Sequence, residues 1–185
     1  ARRAREMGDT AFEKEAWLSS TLLEWGSCGR IVYVDDDPAG FALYAPPAFV
    51  PRSLAFPTSP TSSDAVLLMS LMVQPAYRET GLARMLIQAA AKDLTRRNVR
   101  ALESFALGTQ TDSAAEGEQA ECLLPADMLL AVGFKTVRPH HRFPRLRLEL
   151  KNAVSWREDV EAALERILGT VRAPALTSSA RESEW

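Results

Sequence analysis

The run AVLLMSLMV, from Ala65 to Val73, is nearly all apolar and is closed by Pro75. A strand without a polar side belongs in the middle of a sheet, buried on both faces. Neighbouring strands must then lie along its edges, and helices or loops must cover it above and below. A helix is predicted directly after it, starting near Gly81, with Leu82, Leu86, Ala89, Ala90 and Leu94 on one side. Lys92, Arg96 and Arg97 fall near its end, where cations suit the negative pole of a helix dipole.

The rest of the chain supplies the cover. Ala11, Leu18, Leu22 and Trp25 recur at helical spacing between Thr10 and Trp25, predicting an amphipathic helix closed by Gly26 whose stripe needs a sheet to cover. RIVYV from Arg30 and GFALYA from Gly40 read as a hairpin around an Asp-rich turn. Asp35, Asp36 and Asp37 fit a solvated turn better than a metal site, since turns favour Asp for backbone bonding. From Pro46 to Ser63 five prolines predict a long irregular connection of the kind that shapes binding sites. A strand over Ala101–Leu107 precedes a polar stretch, expected to be mobile, from Gly108 to Glu121. A helix from Pro125 to Val132 stops at Gly133, and strands follow from Phe134 and from Arg145. Ser155 and Glu158 form a capping box for a last helix striped by Trp156, Val160, Ala163, Leu164, Ile167 and Leu168 and ended by Gly169. The fold class is therefore α/β (α+β): a mixed, mostly antiparallel sheet flanked by helices, with an extra C-terminal helix. One domain over residues 1–170 and a flexible tail over 171–185 are expected.

With 185 residues and 46% apolar content, one domain can bury a core without disulfides. A net charge of −2, from 22 basic and 24 acidic residues spread along the chain, leaves no footprint for nucleic acid or an anionic membrane. Cys28 and Cys122 lack zinc-ligand spacing and fit reduced thiols in the cytoplasm, and no metal is expected. No apolar run approaches the ~20 residues that span a bilayer, and the Arg- and Glu-rich start does not read as a secretory signal. Because a helix follows Ala1 almost at once, some natural N-terminal sequence is expected to precede it.

The chemistry concentrates in VQPAYRETGLARML, from Val73 to Leu86, where strand gives way to helix. A helix start leaves N–H groups without partners and gathers partial positive charge. Thr80 is a candidate cap, no acidic residue occupies the first turn, and Arg78 and Arg84 add cations, an unfavourable set unless an anion joins them. Gly81 admits a bulky anion to the backbone, and Ala83 keeps the first turn narrow. A diphosphate meets these requirements, yet neither GxxxxGK nor GxGxxG occurs, which disfavours ATP and NAD.

Arg78, Glu79, Thr80, Gly81, Leu82 and Ala83 instead resemble motif A of the GNAT superfamily of N-acetyltransferases: Gln or Arg, two residues, Gly, one residue, Gly or Ala. The preceding Val73, Pro75, Tyr77 and Arg78 are similar to the superfamily's VxPxYR, and Gly133–Phe134 stands where a GF pair follows its last major helix. The resemblance covers about Thr10 to Leu150, with the usual first strand missing. FVPRSLAFPTSP from Phe49 and RPHHRFPRLRLEL from Arg138 are further similar to an actinobacterial GNAT group, a likeness that brings no acceptor with it.

The resemblance implies acetyl-CoA or a related acyl-CoA, its pyrophosphate on the backbone amides of Arg78 through Ala83 with Arg84 alongside. Leu71, Met72 and Val73 would pair with the pantetheine, a bulge aiming the N–H of Leu71 or Met72 at the thioester oxygen. An amine, on a small molecule or a protein, would attack directly, needing a base for the ammonium and an acid for the thiolate. The tyrosine that many members place four residues before the glycine of GF is Leu129 here. Cys122, Glu103, His140 and His141 are the remaining candidates, each set against a structural reading, with water as a substitute. Arg96, Arg97 and Arg100 are expected to face solvent, one of them within reach of the CoA 3′-phosphate. The last helix offers a homodimer surface, with packing on its own domain the alternative. A non-catalytic acyl-CoA-binding regulatory module is the competing function, and a structural partner-binding domain leaves Gly81 and the two arginines unexplained.

Overall fold

The structure, a computed structural model, describes residues 10–108 and 123–150. The expected C-terminal helix from Ser155, the tail, Cys122 and most of the polar stretch after Gly108 lie outside those residues. A helix α1 (Thr10–Glu24) leads into a hairpin of β1 (Gly29–Val34) and β2 (Asp37–Ala45). The central strand β3 (Ala65–Val73), helix α2 (Leu82–Arg96) and β4 (Ala101–Leu107) follow, then the two-residue strand β5 (Leu124–Pro125), a short helix α3 (Ala126–Ala131), β6 (Lys135–Arg138) and β7 (Arg145–Glu149). The strands form one seven-stranded sheet in the order β1-β2-β3-β4-β7-β6, with β5 also on β4. Along that order only β3 and β4 run parallel, as a helical crossover requires.

Alternation decides what each face carries. Ala42, Tyr44, Val66, Leu68, Leu102, Ala106, Leu146 and Leu148 are buried on one face against Leu86, Ile87, Ala90, Ala91 and Leu94 of α2, Ala126 and Leu129 of α3, and Phe134. Each large side chain withdrawn from water there contributes roughly 1.5–3 kcal/mol, so this helix face holds most of the core. The opposite face is covered by the connection 46–63, which contains two short 3₁₀ turns, Pro47–Phe49 and Pro51–Ala55. Phe56 from that connection stacks on Phe105 with ring centroids 4.5 Å apart and meets Phe143 edge-on at 5.7 Å. Trp17 Nε1 donates to the Phe49 carbonyl at 2.8 Å and Thr58 Oγ1 to the Phe143 carbonyl at 2.9 Å, so the loop spans from α1 to the approach to β7.

The hairpin turns on Asp35 and Asp36, both with positive φ (49° and 68°), the conformation a two-residue turn of this hand demands. The first helix departs from the expected stripe. Leu18 and Leu22 are exposed, and the side turned inward is Trp17, Thr21 and Trp25. The reason is a clamp from α2. The Arg97 guanidinium lies 3.6 Å from the Trp25 ring centroid and donates to the carbonyls of Trp25 and Ser27 at 2.6 and 2.7 Å. It thus satisfies carbonyls at the end of α1 and does not face solvent as expected. Asp93, one turn earlier, accepts the Tyr44 hydroxyl at 2.8 Å and pairs with Arg30 and Arg97.

Candidate functional site

The parallel pair β3/β4 is short: Ala65, Val66 and Leu67 match Ala101, Leu102 and Glu103, and beyond them the two strands part. Immediately after, the register of β3 against β2 jumps from Leu68↔Tyr44 to Ser70↔Leu43, which makes Met69 an extra residue, a β-bulge. A bulge was expected within Leu71–Val73, aiming the N–H of Leu71 or Met72, and the extra residue lies two positions before that stretch. It also explains why β3 is fully buried only as far as Leu68, contrary to the expectation from its composition, while Met72 is 57% exposed.

The bulge determines which main-chain groups face the opening. Gln74 donates its N–H to Ala39 of β2 at 2.8 Å, so by alternation Met72 also turns its main chain to β2, where it is matched with Phe41. Leu71 and Val73 turn theirs to the other edge, into the wedge between β3 and β4. Far along β4, the Ala106 and Gly108 amides bond to Pro144 and Arg142, so β5 takes the opposite edge of β4 and lines the wedge from the other side.

The wedge leads to the start of α2. A 3₁₀ turn, Pro75–Tyr77, follows β3, and then Glu79 and Gly81 adopt left-handed φ of 66° and 88°. Loops of this kind present successive N–H groups as an anion-binding concavity. Gly81 is the N-cap and makes no side-chain cap bond, and the first turn holds no acidic residue. Thr80, expected as the cap, donates its hydroxyl to the Tyr77 carbonyl at 2.6 Å, which takes it away from the helix end. The Arg78 amide bonds to the Pro75 carbonyl at 3.3 Å, so this residue offers its exposed guanidinium and not its N–H. The amides of Leu82, Ala83 and Arg84 occupy the first turn, where no intrahelical acceptor exists. A Cβ built on Gly81 meets nothing within 4 Å. Among the described residues the helix start is thus open at Gly81, with Arg78 and Arg84 beside it, which fits a diphosphate.

Among the acid–base candidates, Glu103 is fully buried in an ion cluster. Arg147 Nη1 lies 3.1 Å from its Oε1, Arg145 Nε 3.5 Å from its Oε2, and the Ser62 amide donates to Oε2 at 3.1 Å. It is matched with Leu67 at the closed end of the wedge, four residues or about 13 Å down the strand from Leu71. His140 lies at the open end, because Gly108 at the end of β4 abuts His141 and bonds to Arg142. Its Nδ1 accepts the N–H groups of Arg142 and Phe143 at 3.2 and 3.0 Å, which places the ring proton of the neutral imidazole on Nε2. In that state Nδ1 is occupied as an acceptor and Nε2 carries the proton, so the neutral ring offers no acceptor for a further proton. His141 is exposed and stacks on His140 at 4.4 Å. Leu129 is wholly buried in the core, so no hydroxyl stands at its position.

The family model described as "Acetyltransferase (GNAT) family" matches residues 3–116. The chain belongs to the acetyltransferase (GNAT) family. No curated protein sequence matches it. Among solved structures, an N-acetyltransferase from Staphylococcus aureus Mu50 superposes with a TM-score of 0.50 at 14% identity, over 77% of this chain and 78% of that one. The ribosomal-protein-alanine N-acetyltransferase of Brucella melitensis gives 0.48 at 16% identity, over 74% and 76%. The PaiA N-acetyltransferase of Thermoplasma acidophilum, solved in complex with coenzyme A, gives 0.45 at 11% identity, over 73% and 76%. At 14% identity the likeness to the Staphylococcus aureus protein speaks to the fold.

As a GNAT acetyltransferase, the protein binds an acyl-CoA. Sequence reasoning missed Ser104, whose hydroxyl reaches the Leu68 carbonyl at 3.1 Å where the strands part, because a buried serine in an apolar strand leaves no periodic signal. It also missed an apolar cavity of about 450 Å³ on the loop face, lined by Leu18, Leu22, Ile31, Phe41, Leu43 and Met72. Among the described residues no cluster of three or more His, Cys, Asp or Glu is placed to hold a metal, and no helix is long and apolar enough to cross a membrane.

Proposed function

We propose that the chain is an N-acetyltransferase that moves an acetyl group from acetyl-CoA, or a related acyl-CoA, to an amine on a small molecule or a protein. The observation that carries this reading is the bulge at Met69, which turns the main chains of Leu71 and Val73 into a wedge ending at an uncapped helix start. The bound acyl-CoA supplies an activated thioester. The Leu71 N–H is suited to meet its oxygen, and Val73 to pair with the pantetheine amides. Leu82, Ala83 and Arg84 offer amides to the pyrophosphate, Gly81 the room, Glu79 and Thr80 the loop conformation, and Arg78 and Arg84 positive charge. Met72 acts through its side chain on the loop face, beside the apolar cavity, where an acceptor carrying an apolar group would find cover.

Proton transfer is the weaker part of the constellation, and three observations favour a second reading, a regulatory module that binds acyl-CoA without turnover. Leu129 is apolar and buried, Glu103 is occupied by two arginines, and His140 has Nδ1 taken by two main-chain N–H groups. Exposed His141 or a water carried by the acceptor side then serves as base in the catalytic reading, and Cys122 lies outside the described residues. A cytoplasmic setting is part of this proposal, with Cys28 a buried thiol. The likeness of two stretches to an actinobacterial GNAT group belongs to this same proposal and names no acceptor.

The test is calorimetric titration with acetyl-CoA of the parent and of Gly81→Asp. Aspartate tolerates left-handed φ better than most side chains and nothing crowds its Cβ, so the variant is expected to fold. It is expected to lose binding, because its carboxylate would face the pyrophosphate. Equal binding by both proteins would remove the α2 start from the site. Turnover with any amine then separates the enzyme from the regulatory module.

A further inference from the structure

Ser104 and Leu68 are buried, at 1% and 2% exposure, and joined by the 3.1 Å bond from hydroxyl to carbonyl. The bond sits at the fork of the sheet. Leu67 and Glu103 are the last matched residues of β3 and β4, and the extra residue Met69 follows Leu68 at once. A pairing three residues long gives the two strands few main-chain bonds with which to hold a fixed divergence. The side-chain tie adds a fixed point one residue beyond the ladder, before the bulge redirects β3.

We propose that Ser104 is a positioning residue that sets the depth of the wedge and thereby the length of acyl group the protein accepts. The inference rests on the reading of the wedge as the thioester site. If the thioester oxygen lies at the Leu71 amide, the acyl chain points toward the apex at Leu68, three residues or about 10 Å down the strand. With the Ser104 bond in place the strands stay closed there, and a short acyl group fits while a longer one must part them. Without the bond the apex opens more readily, and discrimination by chain length falls. The pyrophosphate end of the site lies at the far end of β3 and is unaffected by the change.

The experiment compares the parent, Ser104→Ala and Ser104→Thr. Dissociation constants for free CoA, acetyl-CoA and octanoyl-CoA, whose chain is long enough to reach the apex, are measured by calorimetry, and amide hydrogen exchange at Met69–Leu71 is followed in the cofactor-free proteins. The parent is expected to bind acetyl-CoA more tightly than octanoyl-CoA. In Ser104→Ala that preference should shrink about fivefold, the size expected for one lost hydrogen bond, with free CoA bound as before and faster exchange at Met69–Leu71. Ser104→Thr keeps the hydroxyl and should restore the preference. If Ser104→Ala melts below the working temperature, Ser104→Cys, of similar volume and weaker donation, takes its place. Faster exchange with an unchanged acyl preference overturns the proposal by making the tie merely structural, as do unchanged exchange and preference together. A parent that binds none of the three ligands overturns the thioester-site reading and this proposal with it. Binding of all three with an unaltered Ser104→Ala profile overturns this proposal alone.

Discussion

Gly108 stands against His141 so closely that a Cβ on Gly108 would overlap the His141 carbonyl oxygen. The obstructing atom is backbone, and the Gly108 amide also holds the Arg142 carbonyl at 2.8 Å, so neither side yields cheaply. Gly108→Ala is expected to push the His140–Arg142 turn away from the end of β4 at a cost of about 1–3 kcal/mol. Because the α2 start is on another element, acetyl-CoA affinity should hold while turnover falls. Urea denaturation, imidazole proton shifts of His140 and His141, and calorimetry together check this. Unmoved imidazole signals would show that the turn does not depend on Gly108.

Leu129 occupies the place where the family often has tyrosine, and it is wholly buried among the helix-face side chains. Restoring the tyrosine is therefore expected to harm the fold more than it helps the chemistry. Leu129→Tyr adds volume and a hydroxyl to a packed apolar site and should destabilise by about 1–3 kcal/mol, without raising turnover. Leu129→Ala should cost about 2–5 kcal/mol through the cavity it leaves. A Leu129→Tyr protein as stable as the parent and faster with an amine acceptor would reverse this view and make proton donation the missing element.

The order of elements was legible in the chain because it depends on local period and punctuation: the apolar run at Ala65–Val73, the positive-φ glycines at Gly26 and Gly133, and alternation in Arg145–Glu149. The helix start at Gly81 was legible for the same reason, since a glycine with positive φ at a cap acts within one turn. What stayed hidden depends on partners far away in sequence. Glu103 reads as a free carboxylate until Arg147, 44 residues on, is beside it, and Arg97 reads as solvent-facing until Trp25, 72 residues back, lies under it. Local period says which residues share a face, not which face is covered, so the inward side of α1 was misassigned. The bulge at Met69 is likewise a property of two registers that no single strand encodes.

Tyr44 and Asp93 tie the hairpin to α2 from inside the helix face. Tyr44 is fully buried, and its hydroxyl is pushed well above the usual phenol value, first by burial and then by the bond to the Asp93 carboxylate. Tyr44→Phe is expected to cost about 1–2 kcal/mol, moderated because Asp93 keeps Arg30 and Arg97. Since the neutral phenol is the form the fold favours, the parent holds this contribution fully below pH ~10 and loses it as pH rises through the raised folded value. Melting curves from pH 7 to 11 should show the parent and Tyr44→Phe converging at the alkaline end. A constant gap would assign the loss to packing alone.

In acid the corresponding device is Asp64 with Arg147. Both guanidinium Nη atoms of Arg147 reach the Asp64 carboxylate at 2.9 Å, and this hydrogen bonding is the main reason its carboxyl is held below the ordinary 3.8. The folded form thus prefers the ionised carboxylate more than the unfolded chain does. The resulting stabilisation is present above about pH 4 and is lost as pH falls through the depressed folded value. Asp64 is partly exposed, so Asp64→Asn should cost less than about 1 kcal/mol at neutral pH, with Arg147 still held by Glu103 and Glu149. Below the depressed folded value the difference should vanish, since protonated Asp64 and Asn are then nearly equivalent. Thermal melts of both proteins from pH 2 to 7 decide it: merging curves support the bidentate pair, and parallel curves assign the acid sensitivity to other carboxylates.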